Sequence, residues 1–203
     1  MQLRYSPTSP YVRKVNVLAL EAGLDDRIQR VPTNTADPTD DLPRTNPLGK
    51  VPALATDEGE ALYDSPVICE YLDSLHGGAK FFPPTGTARW TALRLQAAGD
   101  GVLDAALLAM IESKRRPPEL RWDGWLSRQM DKIKRTLDAL ETEAELLDGP
   151  LTIGSLTVGC ALGYLDFRFP ELGWRDSHPA LAEWYEQVSQ RPSFQATVPK
   201  DPA

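Results

Sequence analysis

At 203 residues, with 41% hydrophobic and 25% charged side chains, the chain can bury a core as one large domain or two small ones. No apolar run approaches the roughly 18 residues that a membrane-spanning helix needs, and a formal charge of −7 argues against nucleic acid as a partner. The two cysteines, Cys69 and Cys160, sit in apolar stretches outside any C-x-x-C or Cys/His cluster, so buried reduced thiols are expected and a metal site is not.

The opening residues, Met1 to Ser6, carry no apolar signal region, which points to a cytoplasmic location. Gln2 to Tyr5 alternates as a strand does. From Pro10 the period becomes helical, with Val12, Val15, Leu18, Ala19 and Ala22 on one face. Ser9 suits the N-cap, Pro10 the first helical position and Gly23 the stop. Ile28 to Val31 reads as a second strand, and the strand–helix–strand order predicts a right-handed parallel unit.

Thr33 to Asp41 is polar and irregular, consistent with a mobile stretch. Val51 to Ala55 and Ala61 to Tyr63 then predict two strands around the turn Asp57-Glu58-Gly59. A helix follows from near Ser65, with Val67, Ile68, Tyr71, Leu72 and Leu75 on its inner side. The predicted order to this point is βαβ, then ββα.

Beyond Gly77-Gly78 and Pro83-Pro84 the alternation disappears. Leu126, Met130, Ile133, Leu137, Leu140, Ala144 and Leu147 step by three and four, the seam of a packed helix that Gly149-Pro150 ends. Residues 155 to 169 are apolar nearly all round and predict a central buried helix, and Pro179 to Gln190 predicts a last amphipathic one. Lys114-Arg115-Arg116 reads as a solvated helix end. The tryptophans, Trp90, Trp122, Trp125, Trp174 and Trp184, are expected in the core or an interface, with one or two available to line an apolar pocket.

Three segments then fall into a familiar arrangement: Ser9-Pro10-Tyr11-Val12-Arg13-Lys14-Val15 after the first strand, Asn46-Pro47-Leu48-Gly49-Lys50-Val51-Pro52-Ala53-Leu54 before the third, and Asp64-Ser65-Pro66-Val67-Ile68-Cys69-Glu70-Tyr71-Leu72 after the hairpin. In this order they resemble the thioredoxin-like domain of cytosolic glutathione transferases, and the resemblance runs on to Arg191-Pro192-Ser193-Phe194. It implies an α/β thioredoxin-like domain over 1–76, a linker over 77–86 and an all-α helical domain over 87–203. It also implies glutathione as co-substrate, no metal, a small hydrophobic electrophile as second substrate, no membrane partner and a symmetric homodimer.

The same resemblance assigns roles. Ser9 is expected to activate the glutathione thiol, with Ser6 and Thr8 as substitutes if the strand ends elsewhere. A free thiol with a pKa of about 8.5 needs roughly 2.7 kcal/mol of preferential anion stabilisation to fall by two units. One hydrogen bond to a charge contributes about 1.5–3 kcal/mol and a helix terminus about 0.3–1, so a serine at a helix end suffices. Taken alone, Ser9 is equally a plain helix cap.

Pro52 is expected to be a cis proline that presents the backbone of Val51 to the cysteinyl unit of glutathione, like a short added strand. Lys50, with Arg44 as a helper, would meet the glycyl carboxylate. Asp64 would take the γ-glutamyl ammonium, and Ser65, as helix cap, the γ-glutamyl carboxylate. A surface charge without a role, or a plain cap, is the alternative for each.

A serine at this position cannot form a mixed disulfide, which favours conjugation or peroxide reduction over disulfide exchange. A non-catalytic scaffold or carrier of apolar ligands, and a glutathione-dependent isomerase or dehalogenase, remain the alternatives. One departure from the family pattern is expected: Ser155, read as the cap of the central helix, is followed three residues later by Val158 where an acidic partner is usual.

Overall fold

The computed structural model describes residues 1–201. The chain divides into two compact units, one made of Met1–Phe82 with the segment from Pro192 onward, the other of Pro83–Arg191. The division lies at Phe82/Pro83, and the segment from Pro192 groups with the first unit.

The first unit runs β1 (Gln2–Tyr5), α1 (Pro10–Glu21), β2 (Gln29–Pro32), α2 (Leu42–Thr45), β3 (Ala53–Ala55), β4 (Ala61–Leu62) and α3 (Ser65–Ser74). The second holds α4 (Gly86–Met110), α5 (Asp123–Thr142), α6 (Ile153–Arg168), α7 (Trp174–Ser177) and α8 (Pro179–Ser189), after which α9 (Pro192–Ala196) returns to the first. This is the thioredoxin-like α/β unit with an all-α unit that the sequence implied.

The sheet order is β2-β1-β3-β4, with β1 parallel to β2 and antiparallel to β3, and β3 antiparallel to β4. Helix α1 starts where Ser9 caps it and ends where Gly23 takes a φ of +67°, a conformation that costs glycine little. The Leu24 amide then closes on the Ala19 carbonyl at 2.8 Å. Leu3, Val15, Leu18, Leu54, Ile68 and Leu72 have no exposed surface and form this unit's core. Fully burying each such side chain stabilises the fold by about 1.5–3 kcal/mol.

Two buried charges on α1, Arg13 and Lys14, lie outside the apolar stripe read from the sequence. Arg13 reaches α9, where its Nη2 donates to the Phe194 carbonyl at 3.3 Å and its guanidinium lies 5.5 Å from the centre of the Phe194 ring. The polar stretch from Thr33 to Asp41, expected to be irregular, is tied to β1. Arg4 donates from Nε to Thr33 Oγ1 at 2.8 Å and pairs with both Asp40 and Asp41.

In the second unit α6 is the central buried helix; α4 packs along it, and α5 packs against α4. Its cap corrects the sequence reading. Thr152, not Ser155, is the N-cap: its hydroxyl accepts from the Ser155 amide at 3.3 Å, and Ser155 Oγ accepts from the Thr152 amide at 3.0 Å. Ser155 is therefore the responding member of a complete capping box, and no reciprocity is missing.

The tryptophans also split. Trp174 and Trp184 are buried as expected, whereas Trp90 is 67% exposed and Trp122 60%. Trp122 lies beside Trp125, ring centres 6.5 Å apart. Cys69 and Cys160 are buried free thiols. Among the described residues, no helix is long and apolar enough to cross a membrane.

Candidate functional site

The strand register explains how three segments distant in sequence reach one place. Arg4 on β1 faces Ala53 on β3, so the end of β1 that leads to Ser9 lies against the start of β3, just after Val51-Pro52. Leu54 faces Leu62, so β4 runs toward that same end of the sheet before the chain enters Asp64-Ser65. Ser9, Val51-Pro52 and Asp64-Ser65 therefore share one end of the sheet.

Ser9 occupies the N-cap of α1 with an extended backbone, and its Oγ accepts from the Val12 amide at 3.3 Å. That bond uses an oxygen lone pair and leaves the hydroxyl proton free to donate. A cap of this kind can also donate to an anion, beside the positive end of a twelve-residue helix. Ser6 and Thr8 instead face each other, hydroxyl oxygens 3.3 Å apart, in the preceding turn.

The Val51–Pro52 peptide bond is cis. The loop before it is closed by Asn46, a fully buried side chain named in the motif but given no role by sequence reasoning. Its Nδ2 donates to the Lys50 carbonyl at 2.8 Å and its Oδ1 accepts from the Leu48 amide at 3.0 Å. A polar residue directly before Pro-Leu-Gly was the available signal, since asparagine bonds its own backbone in turns. Lys50 is exposed beside Val51, and Arg44 is exposed on α2.

The end of α3 differs from expectation in one detail. Asp64 is the cap position and Ser65 the first helical residue, and the Tyr63–Asp64 bond is also cis. The Asp64 side chain makes no capping bond, lies exposed, and forms no ion pair among the described residues. Its carboxylate therefore stays available for an ammonium group. Ser65 is 1% exposed, with its amide in the first turn where no intrahelical acceptor exists. One exposed carboxylate, one set of helix-end donors and two exposed cations suit a small zwitterionic ligand carrying carboxylates.

Charge in the supporting loop is set by Arg4, whose hydrogen bond and charge hold the Asp41 carboxyl below its usual range. Among the described residues there is no group of three or more His, Cys, Asp or Glu side chains that could hold a metal ion.

Comparison with known proteins adds to this geometry. Residues 8–75 match the model of the glutathione S-transferase N-terminal domain, and residues 123–187 that of its C-terminal domain. The chain is 38% identical to the uncharacterized GST-like protein YibF of Escherichia coli, over 98% of each chain. It superposes on a glutathione transferase family member from Pseudomonas fluorescens Pf-5 with bound glutathione, at TM-score 0.95 and 47% identity, covering 98% of this chain and 99% of that one. A second structure of a glutathione transferase family member from the same strain, with bound S-(propanoic acid)-glutathione, matches at TM-score 0.92 and 47% identity, with 99% of this chain and 100% of that one covered. The glutathione S-transferase of Methylobacillus flagellatus KT, with glutathione bound, matches at TM-score 0.92 and 38% identity over 98% and 99%. With both domain models in place and whole-chain relatives at this identity, the chain belongs to the glutathione S-transferase family.

Proposed function

We propose that the protein is a glutathione transferase in which Ser9 holds the glutathione sulfur as a thiolate for attack on a small electrophile. The observation that carries this reading is the state of Ser9, whose oxygen is engaged as the α1 cap while its proton is free, at the sheet end shared with Val51-Pro52 and Asp64-Ser65. A hydroxyl donor and a helix N-terminus together supply the anion stabilisation estimated from the sequence.

In this reading the Val51 backbone pairs with the cysteinyl unit, Asp64 takes the γ-glutamyl ammonium, and the Ser65 amide and hydroxyl take the γ-glutamyl carboxylate. Lys50 and, further out, Arg44 screen the glycyl carboxylate. Conjugation to a small electrophile is favoured, and the propanoic acid adduct of glutathione held by the P. fluorescens protein is an example of such a product. The protein acts in the cytoplasm as a symmetric homodimer, and exposed Trp90 is the kind of apolar side chain that pairing would cover.

The test is calorimetric titration of glutathione into wild type and Ser9→Ala, with ultraviolet absorbance reporting bound thiolate. Wild type is expected to bind with a thiolate signal, and Ser9→Ala to bind without it. No binding by wild type at millimolar glutathione would remove the enzymatic reading.

A further inference from the structure

A cavity of about 310 Å³ lies within the first unit between the start of α1 and the segment after α9, lined by Ser9, Arg13, Asn16, Arg30 and Thr197 among others. Two arginines of this unit, one on β1 and one on β2, have carboxylate partners. Arg4 is paired with Asp40 and Asp41, and Arg30 with Asp25, which itself lines the cavity. Arg13 is the exception. It is 6% exposed, no carboxylate of the described residues pairs with it, and its Nη1 is buried without any hydrogen-bond partner.

A buried guanidinium without a counter-charge is unfavourable, and a carboxylate is the group its planar fork fits best. The bonds Arg13 does make are long. Nε reaches Thr197 Oγ1 at 3.4 Å and Nη2 the Phe194 carbonyl at 3.3 Å, beyond the usual range for such donors. The guanidinium therefore gives up little when it turns toward a stronger acceptor in the cavity.

Position links this charge to the chemistry. Arg13 follows Ser9, the cap of α1, by four residues, with its amide bonded to the Ser9 carbonyl at 3.0 Å, and both residues line the cavity. We infer that Arg13 is the carboxylate-binding residue for the second substrate, and that this substrate is a short electrophile carrying a carboxylate. This rests on the transferase reading above and specifies its acceptor. A thiolate and a carboxylate meeting in one site repel each other, and Arg13 supplies the compensating charge. For an α,β-unsaturated acid, the sulfur forms its bond to the β-carbon and the π pair moves to the α-carbon. That carbon then takes from solvent the proton that the thiol released, so atoms and charge balance.

The test compares the affinities of glutathione, S-propylglutathione and S-(2-carboxyethyl)glutathione by calorimetry. Wild type is expected to bind the carboxyethyl conjugate at least about tenfold more tightly than the propyl one, as a charge-assisted bond implies. Arg13→Gln is expected to lose that ratio while binding glutathione unchanged. Because Arg13 also holds α9, a second variant guards against misfolding: Thr197→Asp puts a carboxylate beside the retained Arg13, and the preference should vanish with thermal stability maintained. Equal affinities in wild type, or a ratio that survives in both variants, would overturn the carboxylate site alone. Failure of wild type to bind glutathione at all would overturn the transferase reading and this assignment together.

Discussion

The side-chain amide of Asn46 donates to the main-chain carbonyl of Lys50 at 2.8 Å, across the loop that delivers Val51 to the end of the sheet. Since Asn46 is fully buried and also accepts from Leu48, one side chain replaces the secondary structure this loop lacks. Asn46→Ala leaves those backbone groups unpaired at a cost of about 1–3 kcal/mol. The melting temperature should fall by roughly 2–12 °C for a chain of this size. The KM for glutathione should rise more than kcat falls, because Val51 is a binding element in the proposed site and Asn46 touches no reacting atom. Steady-state kinetics with thermal unfolding checks both, and a variant with unchanged KM would separate the loop from binding.

Ser9 carries two roles that one substitution should separate. Ser9→Ala removes the α1 cap, costing about 0.5–2 kcal/mol of stability. It also removes the proposed donor to the thiolate, which should move the pH–rate curve toward alkaline pH by about 1–2 units. Ser9→Asn, which can still cap, should regain stability without restoring that curve. A curve that stays in place in Ser9→Ala would assign thiol activation elsewhere, with Ser6 or Thr8 next to test.

How far the sequence carries differs by scale. The order βαβ-ββα and the helical second half follow from periodicity and turn residues, because those signals are local, whereas the grouping of Ser9, Pro52 and Asp64 is what the family resemblance of three motifs implied. What sequence reasoning missed is nonlocal. The partner of Arg13 lies on α9 at the far end of the chain, and nothing in Pro10–Glu21 announces that this arginine is buried. Arg4 restrains Asp40 and Asp41, so a polar stretch that reads as mobile is anchored by a residue some 36 positions earlier. The extent of α4 was not read because Gly99 and Gly101 interrupt its helical signal, and at Gly99 the reason is a close approach that only the folded unit contains. Trp90 and Trp122 show that large aromatics are buried on average without that deciding the single case; both are exposed, which leaves the interface half of the expectation open.

That close approach gives a paired prediction. A Cβ at Gly99 would meet Thr157 Cγ2 at 2.8 Å and the Thr157 carbonyl carbon at 3.0 Å, where α4 crosses α6. Overpacking of about 1–3 kcal/mol should outweigh alanine's helix advantage of about 1 kcal/mol, so Gly99→Ala should be neutral to destabilising by up to about 2 kcal/mol. Gly101, two residues on, meets nothing within 4 Å, and Gly101→Ala should stabilise by about 0.5–1 kcal/mol. Thr157→Ser, which deletes Cγ2 but keeps the hydroxyl bonded to the Ile153 carbonyl, should partly rescue Gly99→Ala. Chemical denaturation of the four variants reads all of this, and a Gly99→Ala protein more stable than Gly101→Ala would contradict the packing.

The capping box should show coupling that plain caps do not. Thr152→Ala loses the bond from the Ser155 amide and should cost about 0.5–2 kcal/mol. Ser155→Ala removes the reciprocal bond to the Thr152 amide at 3.0 Å. Because the two residues serve each other, the double variant should cost less than the sum of the singles, by at least about 0.5 kcal/mol. Ser155→Asp supplies the acidic partner usual at this position and should hold or raise stability. Strict additivity in the double-mutant cycle would mean that each residue acts alone.

Acid should act on one side-chain network of the helical unit. Asp138 on α5 accepts from Lys134 Nζ at 2.7 Å, and its other oxygen faces His178 Nε2 at 3.1 Å, just before α8. The Lys134 hydrogen bond first, and the His178 contact second, hold its carboxyl below the usual range against a small opposing effect of desolvation. A carboxyl whose folded pKa lies below its unfolded value stabilises the fold above the unfolded value, about 3.9 for aspartate. That contribution is lost as pH falls through the lower, folded value, because both states are then protonated. Stability should therefore decline below about pH 5 more gently in Asp138→Asn than in wild type, with little difference in slope near neutrality, where the aspartate is ionised in both states. Urea denaturation at stepped pH reads the slope directly. Parallel slopes in the two proteins would show that the Asp138 contacts with Lys134 and His178 carry no proton linkage.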